Sequence, residues 1–183
     1  MTLAFSKVAI IGAGAMGRGI AQIAAQAGSQ VWLYDTQADA IQKARDAVFL
    51  QWDKLHEKGR LTAEAVAGHK SRLLGANSMQ DLAGCELVVE AIVEKLDIKK
   101  SLFSELENVL APTAVLVTNT SSLSVTAIAA ALQRPENFAG YHFFNPVPLM
   151  KVVEVIAGLK TDAAVCQRLS DFARQMGHTP VQA

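Results

Sequence analysis

A glycine-rich segment near the N-terminus constrains the fold of this chain more than any other feature. Its six residues are Gly12, Ala13, Gly14, Ala15, Met16 and Gly17, set between an apolar run at 7–11 and a helix-forming run at 15–27. A G-x-G-x-x-G spacing between a strand and a helix is typical of a dinucleotide-binding turn. Gly12 permits the tight turn, Gly14 lets the backbone approach a pyrophosphate, and Gly17 lets the helix pack on the strand. We therefore expect all six residues to line a cofactor whose phosphates lie at the start of the helix.

The residue that ends the next strand pattern predicts which dinucleotide binds. Asp35 follows the apolar run at 30–34, about 20 residues after the glycine turn, where an acidic side chain accepts hydrogen bonds from both ribose hydroxyls. Thr36 comes next, and no Arg or Lys lies nearby in the sequence. A 2′-phosphate would be repelled there rather than neutralised, so the sequence predicts NAD as the cofactor and not NADP.

Length and charge limit the other function classes. At 183 residues the chain is long enough for one domain and short for two. The charges of its 17 basic and 17 acidic residues cancel, so the chain has no net positive charge of the kind that binds nucleic acid or an anionic membrane. Cys85 and Cys166 form neither a disulfide framework nor a metal-ligand cluster, so no metal site is expected. We expect a cytoplasmic protein, because no secretory signal or membrane span is recognisable.

Strand and helix patterns alternate along the chain. Strands are predicted at 7–11, 30–34, 71–74, 86–92, 115–117, 138–144, 151–156 and 179–181, and helices at 15–27, 38–58, 97–110, 125–132 and 162–176, with one or two helical turns at 61–69. Such alternation predicts an α/β fold of the Rossmann type. We expect a doubly wound, mostly parallel sheet with an antiparallel strand pair near the C-terminal end. The whole of residues 1–183 would be one domain.

Two polar residues interrupt apolar strands in the C-terminal third. His142 and Glu154 are symmetric about Pro148, so antiparallel pairing of the strands at 138–144 and 151–156 would place them opposite each other. A carboxylate bonded to one imidazole nitrogen fixes the tautomer and stabilises the imidazolium formed when the other nitrogen takes a proton. That arrangement favours a general base for alcohol oxidation. A cross-strand ion pair without chemistry is the alternative.

Further polar residues follow the predicted strands at 86–92 and 115–117. Glu90, Glu94 and Lys95 come where the first of these strands gives way to a helix, and a polar run at 119–122 follows the second. In open α/β sheets, ligands bind at the carboxyl ends of the strands. These residues are therefore candidate ligand contacts, although the charged group at 90–95 is also compatible with an ordinary helix start.

Taken together, these segments resemble the NAD-binding domain of L-3-hydroxyacyl-CoA dehydrogenases. The matching segments are residues 8–16, 87–94, 118–123 and, as the most specific, 140–151 together with Glu154. The resemblance implies that His142 is the catalytic base, Glu154 its orienting partner and Ser121 a donor to the substrate oxygen. It also implies that Asn145 lies near the nicotinamide. Three weaker assignments follow from it: Glu90 and Lys95 as NAD contacts, and Lys58 as a contact of coenzyme A phosphates or simply a solvated helix end.

The same resemblance implies an activity and a missing part. Members of the family oxidise the 3-hydroxyl of L-3-hydroxyacyl-CoA to 3-ketoacyl-CoA with NAD, in fatty-acid β-oxidation or aromatic-acid degradation. They carry a C-terminal helical domain that closes over the acyl-CoA and forms a homodimer, and this chain does not contain it. We therefore expect NAD binding with poor turnover from the chain alone. A related sugar-acid dehydrogenase and a crystallin-like structural protein that retains NAD binding are the alternatives.

Overall fold

Eight strands and six helices alternate in the computed structural model, which describes residues 2–183. The strands are β1 (Lys7–Ile11), β2 (Gln30–Tyr34), β3 (Leu73–Gly75), β4 (Leu87–Glu90), β5 (Val115–Thr118), β6 (Phe138–Phe143), β7 (Val152–Ala157) and β8 (Thr179–Gln182). The helices are α1 (Ala15–Ala27), α2 (Ala38–Glu57), α3 (Ala63–Arg72), α4 (Leu96–Val109), α5 (Val125–Ala129) and α6 (Ala163–Gln175). Two short 3₁₀ turns, Met79–Leu82 and Pro135–Asn137, precede β4 and β6.

One sheet contains all eight strands in the order β3-β2-β1-β4-β5-β6-β7-β8. Neighbouring strands run parallel except β6 and β7, which pair antiparallel. This is the predicted doubly wound, mostly parallel sheet with an antiparallel pair near the C-terminal end, and that prediction is confirmed. The carboxyl ends of β1, β2, β4, β5 and β6 consequently meet at one edge of the sheet.

Helices cover both faces of the sheet, so its central strands are apolar on both sides. In β1, Val8 and Ile10 face one core while Ala9 and Ile11 face the other. The first core is completed by Ile20 of α1, Trp52 of α2, Val66 of α3 and Phe172 of α6, and the second by Phe103 of α4 and Ile128 of α5. No helix within residues 2–183 is both long and apolar enough to span a bilayer.

Element boundaries depart from the sequence prediction where side chains compete for backbone groups. Strand β4 ends at Glu90 rather than at 92, because the Glu90 carboxylate turns back and accepts a hydrogen bond from the Ile92 N–H at 2.7 Å. Helix α3 is a full ten residues long, and the Thr62 hydroxyl caps it by accepting from Ala65 N–H at 3.1 Å. The longer helix moves β3 to Leu73–Gly75. Helix α5, in contrast, ends at Ala129 and not at 132.

The glycine turn between β1 and α1 depends on close backbone approach. Gly12 has a φ of 106°, and a Cβ built there would overlap the carbonyl oxygen of Ala91. A Cβ on Gly17 would overlap the carbonyl oxygen of Gly12, whereas a Cβ on Gly14 meets nothing within 4 Å. The first and third glycines of the motif are thus required by packing, and the second faces open space.

Alanine substitution at Gly14 and Gly17 distinguishes the glycine that faces open space from one that packing requires. Gly17→Ala should lower the free energy of unfolding by about 2 kcal/mol or more, because the methyl group forces α1 away from the turn. Gly14→Ala is the matched control and should change it by less than about 1 kcal/mol, the scale of a changed helix cap. Urea denaturation of both variants measures the difference. Equal stabilities would contradict this account of the turn.

Candidate active site

Polar side chains collect at the carboxyl edge of the sheet. Asp35 follows β2, Asn119 follows β5, and His142 lies near the end of β6. Short backbone hydrogen bonds tie the segments that leave the strands to their neighbours: Gly12 N–H donates to Tyr34 O at 2.8 Å, and Asn119 N–H donates to Glu90 O at 2.9 Å. The residues at this edge are thereby held by the sheet itself.

A cavity of about 750 Å³ lies over the glycine turn. We call it the glycine-turn cavity; it is lined by Ile11, Gly12, Gly14, Tyr34, Asp35, Thr36, Met79, Ala91, Ile92, Val93, Asp97, Ile98, Ser101, Leu102 and Glu105. Open space lies beside Gly14 at the start of α1. The first backbone N–H groups of a helix have no intrahelical acceptors, so this space suits a negatively charged group. This shape and polarity fit a dinucleotide.

The carboxylate of Asp35 fixes the turn and still has room for a ligand. One oxygen accepts from the Ala13 N–H at 2.9 Å, and the other accepts from the Gln37 N–H at 2.9 Å. A carboxylate has about four acceptor positions, so two remain for the hydroxyls of a ribose. Ala13 itself is engaged with this carboxylate and not free for a phosphate.

The surroundings of Asp35 differ from the sequence prediction in one respect. Arg45, on α2, lines a neighbouring cavity of about 320 Å³ together with Asp35 and Thr36. Its Nε donates to Leu73 O at 3.2 Å, and its guanidinium lies 5.3 Å from the centre of the Phe49 ring. The neighbouring sequence of Asp35 did not reveal this cation, because a helix brings a residue ten positions away to the cavity that Asp35 also lines.

His142 and Glu154 face each other across the antiparallel pair. The register of β6 and β7 places them directly opposite, and Nδ1 of His142 lies 2.8 Å from Oε1 of Glu154. The predicted pairing is confirmed. The histidine side chain is 17% exposed and the glutamate 35%, so the pair is largely shielded from solvent but still accessible to a ligand. Because Nδ1 is engaged, Nε2 is the nitrogen left for another partner.

The loop after β5 is folded by its own side chains. Asn119 Oδ1 accepts from Phe143 N–H at 2.8 Å and so fixes the end of β6. Thr120 Oγ1 accepts from Leu123 N–H at 3.0 Å and donates to Glu94 at 2.5 Å. Ser121 lies between these anchored residues, and its side chain is exposed. The loop therefore presents the Ser121 hydroxyl towards the cavity that His142 lines.

The cavity that His142 lines measures about 340 Å³, and we call it the histidine cavity. It is lined by Met16, Ala91, Ile92, Glu94, Lys99, Asn119, Ser121, His142, Phe143, Phe144 and Asn145. Ala91 and Ile92 line the glycine-turn cavity as well, so the two cavities adjoin. An extended ligand held at the glycine turn can thus reach the histidine.

A cluster of three charged side chains, two of them buried, borders the histidine cavity. The Lys99 ammonium lies 2.5 Å from the Glu90 carboxylate and 3.1 Å from that of Glu94. Lys99 and Glu90 have no exposed side-chain surface, whereas Glu94 is 41% exposed. Burial raises the pKa of Glu94, but hydrogen bonds from Thr120, Lys99 and Ser122 together with the positive charge of Lys99 outweigh that effect, and the pKa is lowered.

Glu90 and Lys95 do not occupy the positions that the sequence analysis gave them. The Glu90 carboxylate is enclosed and already accepts from Lys99, from Thr118 Oγ1 at 2.6 Å and from the Ile92 N–H, so it has no face left for a cofactor. Lys95 is exposed at the start of α4, outside both cavities. Glu94 and Lys99 line the histidine cavity whereas Glu90 and Lys95 do not, and the assignment of Glu90 and Lys95 as direct contacts is corrected accordingly.

One signal for Lys99 was present in the sequence. Lys99, Phe103 and Leu106 are spaced as one buried stripe of α4, and all three are fully buried. A lysine in such a stripe needs a carboxylate partner, and Glu90 lies in an otherwise apolar strand. The buried lysine in an apolar helix stripe and the glutamate in an apolar strand are therefore explained as partners.

Asn145 lies between the histidine cavity and a further cavity. This further cavity, of about 400 Å³, is lined by Ala15, Arg18, Gly19, Gln22, Ala47, Val48, Gln51 and residues 145–149. Lys58 follows the end of α2, about 10 Å beyond Gln51 by the rise of the helix. It is exposed and does not line this cavity.

The chain matches a family model over residues 7–183, described as "3-hydroxyacyl-CoA dehydrogenase, NAD binding domain". It is 44% identical to 3-hydroxyadipyl-CoA dehydrogenase of Escherichia coli, with all of the chain and 38% of that protein covered. It is also 44% identical to a probable 3-hydroxybutyryl-CoA dehydrogenase of Deinococcus radiodurans, with 96% of the chain and 63% of that protein covered.

Solved structures give the same result. A crystal structure of 3-hydroxybutyryl-CoA dehydrogenase from Escherichia coli superposes with a TM-score of 0.96 at 45% identity, covering 97% of this chain and 38% of that one. A (S)-3-hydroxybutyryl-CoA dehydrogenase from Ralstonia eutropha superposes with a TM-score of 0.94 at 36% identity, covering 97% and 63%. In each of these four pairs, the chain spans less than two thirds of the protein that it matches.

Proposed function

The chain belongs to the family of 3-hydroxyacyl-CoA dehydrogenase NAD-binding domains, and from this we propose that it supplies the cofactor site and the general base for oxidation of L-3-hydroxyacyl-CoA to 3-ketoacyl-CoA. The observation that carries the proposal is the 2.8 Å contact between His142 and Glu154 beside a cavity that adjoins the glycine turn. A histidine oriented by a carboxylate is suited to accept the proton of an alcohol.

The proton transfer proceeds at Nε2 of His142. Glu154 holds Nδ1 protonated, so Nε2 carries the lone pair that takes the proton of the substrate 3-hydroxyl. The imidazolium that forms is stabilised by the negative charge at 2.8 Å. Ser121 donates a hydrogen bond to the same substrate oxygen and fixes it towards the histidine. The hydroxyl proton ends on His142, and the ketone forms as the C3 hydride leaves to the nicotinamide cofactor.

NAD, when bound, supplies the acceptor for the hydride that leaves C3. The chain contributes the open backbone at Gly14 for the pyrophosphate and the Asp35 carboxylate for the ribose hydroxyls. Asn145, Glu94 and Lys99 line the space for the nicotinamide. These assignments are supported by the adjoining of the glycine-turn cavity and the histidine cavity, which share Ala91 and Ile92.

We further propose that a longer protein completes the site. The relatives extend well beyond the matched region, and the resemblance assigns to that extension a helical domain that closes over acyl-CoA and forms a homodimer. The cavity beside Asn145 and the Lys58 ammonium on the same side of α2 are the chain's contributions to acyl-CoA binding. A domain that holds NAD but lacks the closing part should bind cofactor and turn over slowly.

An activity assay with the chain and with its full-length parent tests this proposal. The parent should reduce NAD in the presence of L-3-hydroxybutyryl-CoA and not with a free sugar acid. The 183-residue chain should bind NAD in calorimetry, with turnover lower by roughly 10³-fold or more because substrate positioning is lost. Sugar-acid oxidation, or NAD binding without any turnover in the parent, would favour the alternatives.

The roles of His142 and Glu154 are tested by a double-mutant cycle in the parent. His142→Ala should lower kcat by about 10²- to 10⁴-fold, and Glu154→Gln should also lower it while NAD affinity changes little. The double variant should be scarcely slower than the slower single variant, because the residues act as one unit. Glu136→Gln makes the same chemical change before β6, at the opposite end of that strand, and should leave kcat unchanged. Effects that multiply in the double variant would refute the pair as a unit.

A further inference from the structure

The position of Lys99 between two carboxylates is not explained by stability. Burying an ion pair costs desolvation that its attraction often fails to repay, and apolar replacements are frequently as stable. Lys99 occupies the apolar stripe of α4, where a methionine would pack against Phe103. The Glu90 carboxylate behind it is buried with three donors, from Lys99, Thr118 and Ile92.

The two carboxylates approach the Lys99 ammonium from different sides. Glu90 approaches the ammonium from the interior, at 2.5 Å, and Glu94 approaches it from the cavity side, at 3.1 Å. The charges of Glu90, Lys99 and Glu94 are −1, +1 and −1, which leaves one net negative charge. Glu90 neutralises the charge of Lys99 from the interior side. The remaining negative charge therefore lies at Glu94, which lines the histidine cavity.

A charge at this wall distinguishes the two redox forms of a nicotinamide. The ring is positively charged when oxidised and neutral when reduced, so a nearby negative charge stabilises the oxidised form selectively. The effect on binding depends on the difference between the two forms, since interactions common to both cancel in the ratio of their affinities.

We propose that Glu90 is a positioning residue that sets the charge of the histidine cavity and thereby shifts the relative affinity of the domain for NAD⁺ over NADH. The inference rests on the proposed function, because it requires the nicotinamide to lie beside His142. Glu90 acts through Lys99 and Glu94 and touches neither cofactor nor substrate.

The ratio of dissociation constants for NAD⁺ and NADH, measured by calorimetry on the chain, tests the proposal. Glu90→Gln removes one negative charge and should raise the ratio Kd(NAD⁺)/Kd(NADH) roughly tenfold, as expected of one charge at several ångströms in a partly screened site. Glu90→Gln combined with Lys99→Met removes a neutral pair and should return the ratio to within about threefold of the original. Thr118→Val deletes a hydrogen bond to Glu90 without changing charge, and should leave the ratio unchanged.

Several outcomes would overturn the inference. A ratio that stays constant in Glu90→Gln, or two affinities that weaken equally, would make Glu90 a purely structural residue. If Glu90→Gln does not fold, Glu94→Gln makes the same charge change at a partly exposed position and should raise the ratio in the same direction; an unchanged ratio there contradicts the proposal. Failure of the unaltered chain to bind either nucleotide would instead contradict the proposed function.

Discussion

The common direction of five strands is the constraint on which the candidate site depends. Because β1, β2, β4, β5 and β6 run parallel, the segments that follow them all emerge at one edge. Gly12, Asp35, Asn119 and His142 come from distant parts of the sequence and meet there without any long loop. Hydrogen bonds between neighbouring strand ends hold them at fixed spacing. The sheet therefore serves as the scaffold for both cavities.

Strand β7 adds what a purely parallel sheet could not supply. By running antiparallel to β6, it places Glu154 opposite His142 at one position of the register. The charge cluster on the other side of the histidine cavity is built differently, from a strand end and the buried stripe of α4. One part of the cavity lining thus carries the paired histidine and carboxylate, and another carries a cluster of charges. Both depend on polar side chains placed in otherwise apolar segments.

Local sequence signals predicted the elements whose bounds depend on neighbouring residues. The bounds of β1, α1 and β2 agree with the prediction to the residue, because glycine positions and strand length define them. The register of His142 with Glu154 followed from symmetry about Pro148. Glu90 was expected to contact NAD directly, but its carboxylate is used by Lys99, a contact between strand and helix that neither segment reveals alone. Arg45 was missed for a similar reason, because helix α2 brings it to a cavity that Asp35 also lines.

A crystal structure of the chain grown with NAD⁺ would show whether one dinucleotide occupies both adjoining cavities. We expect the pyrophosphate beside Gly14, the adenosine ribose on Asp35, and the nicotinamide ring in the histidine cavity between Asn145 and Lys99, facing His142. A dinucleotide bound elsewhere, or a nicotinamide ring directed away from His142 with the adenosine half in place, would contradict it.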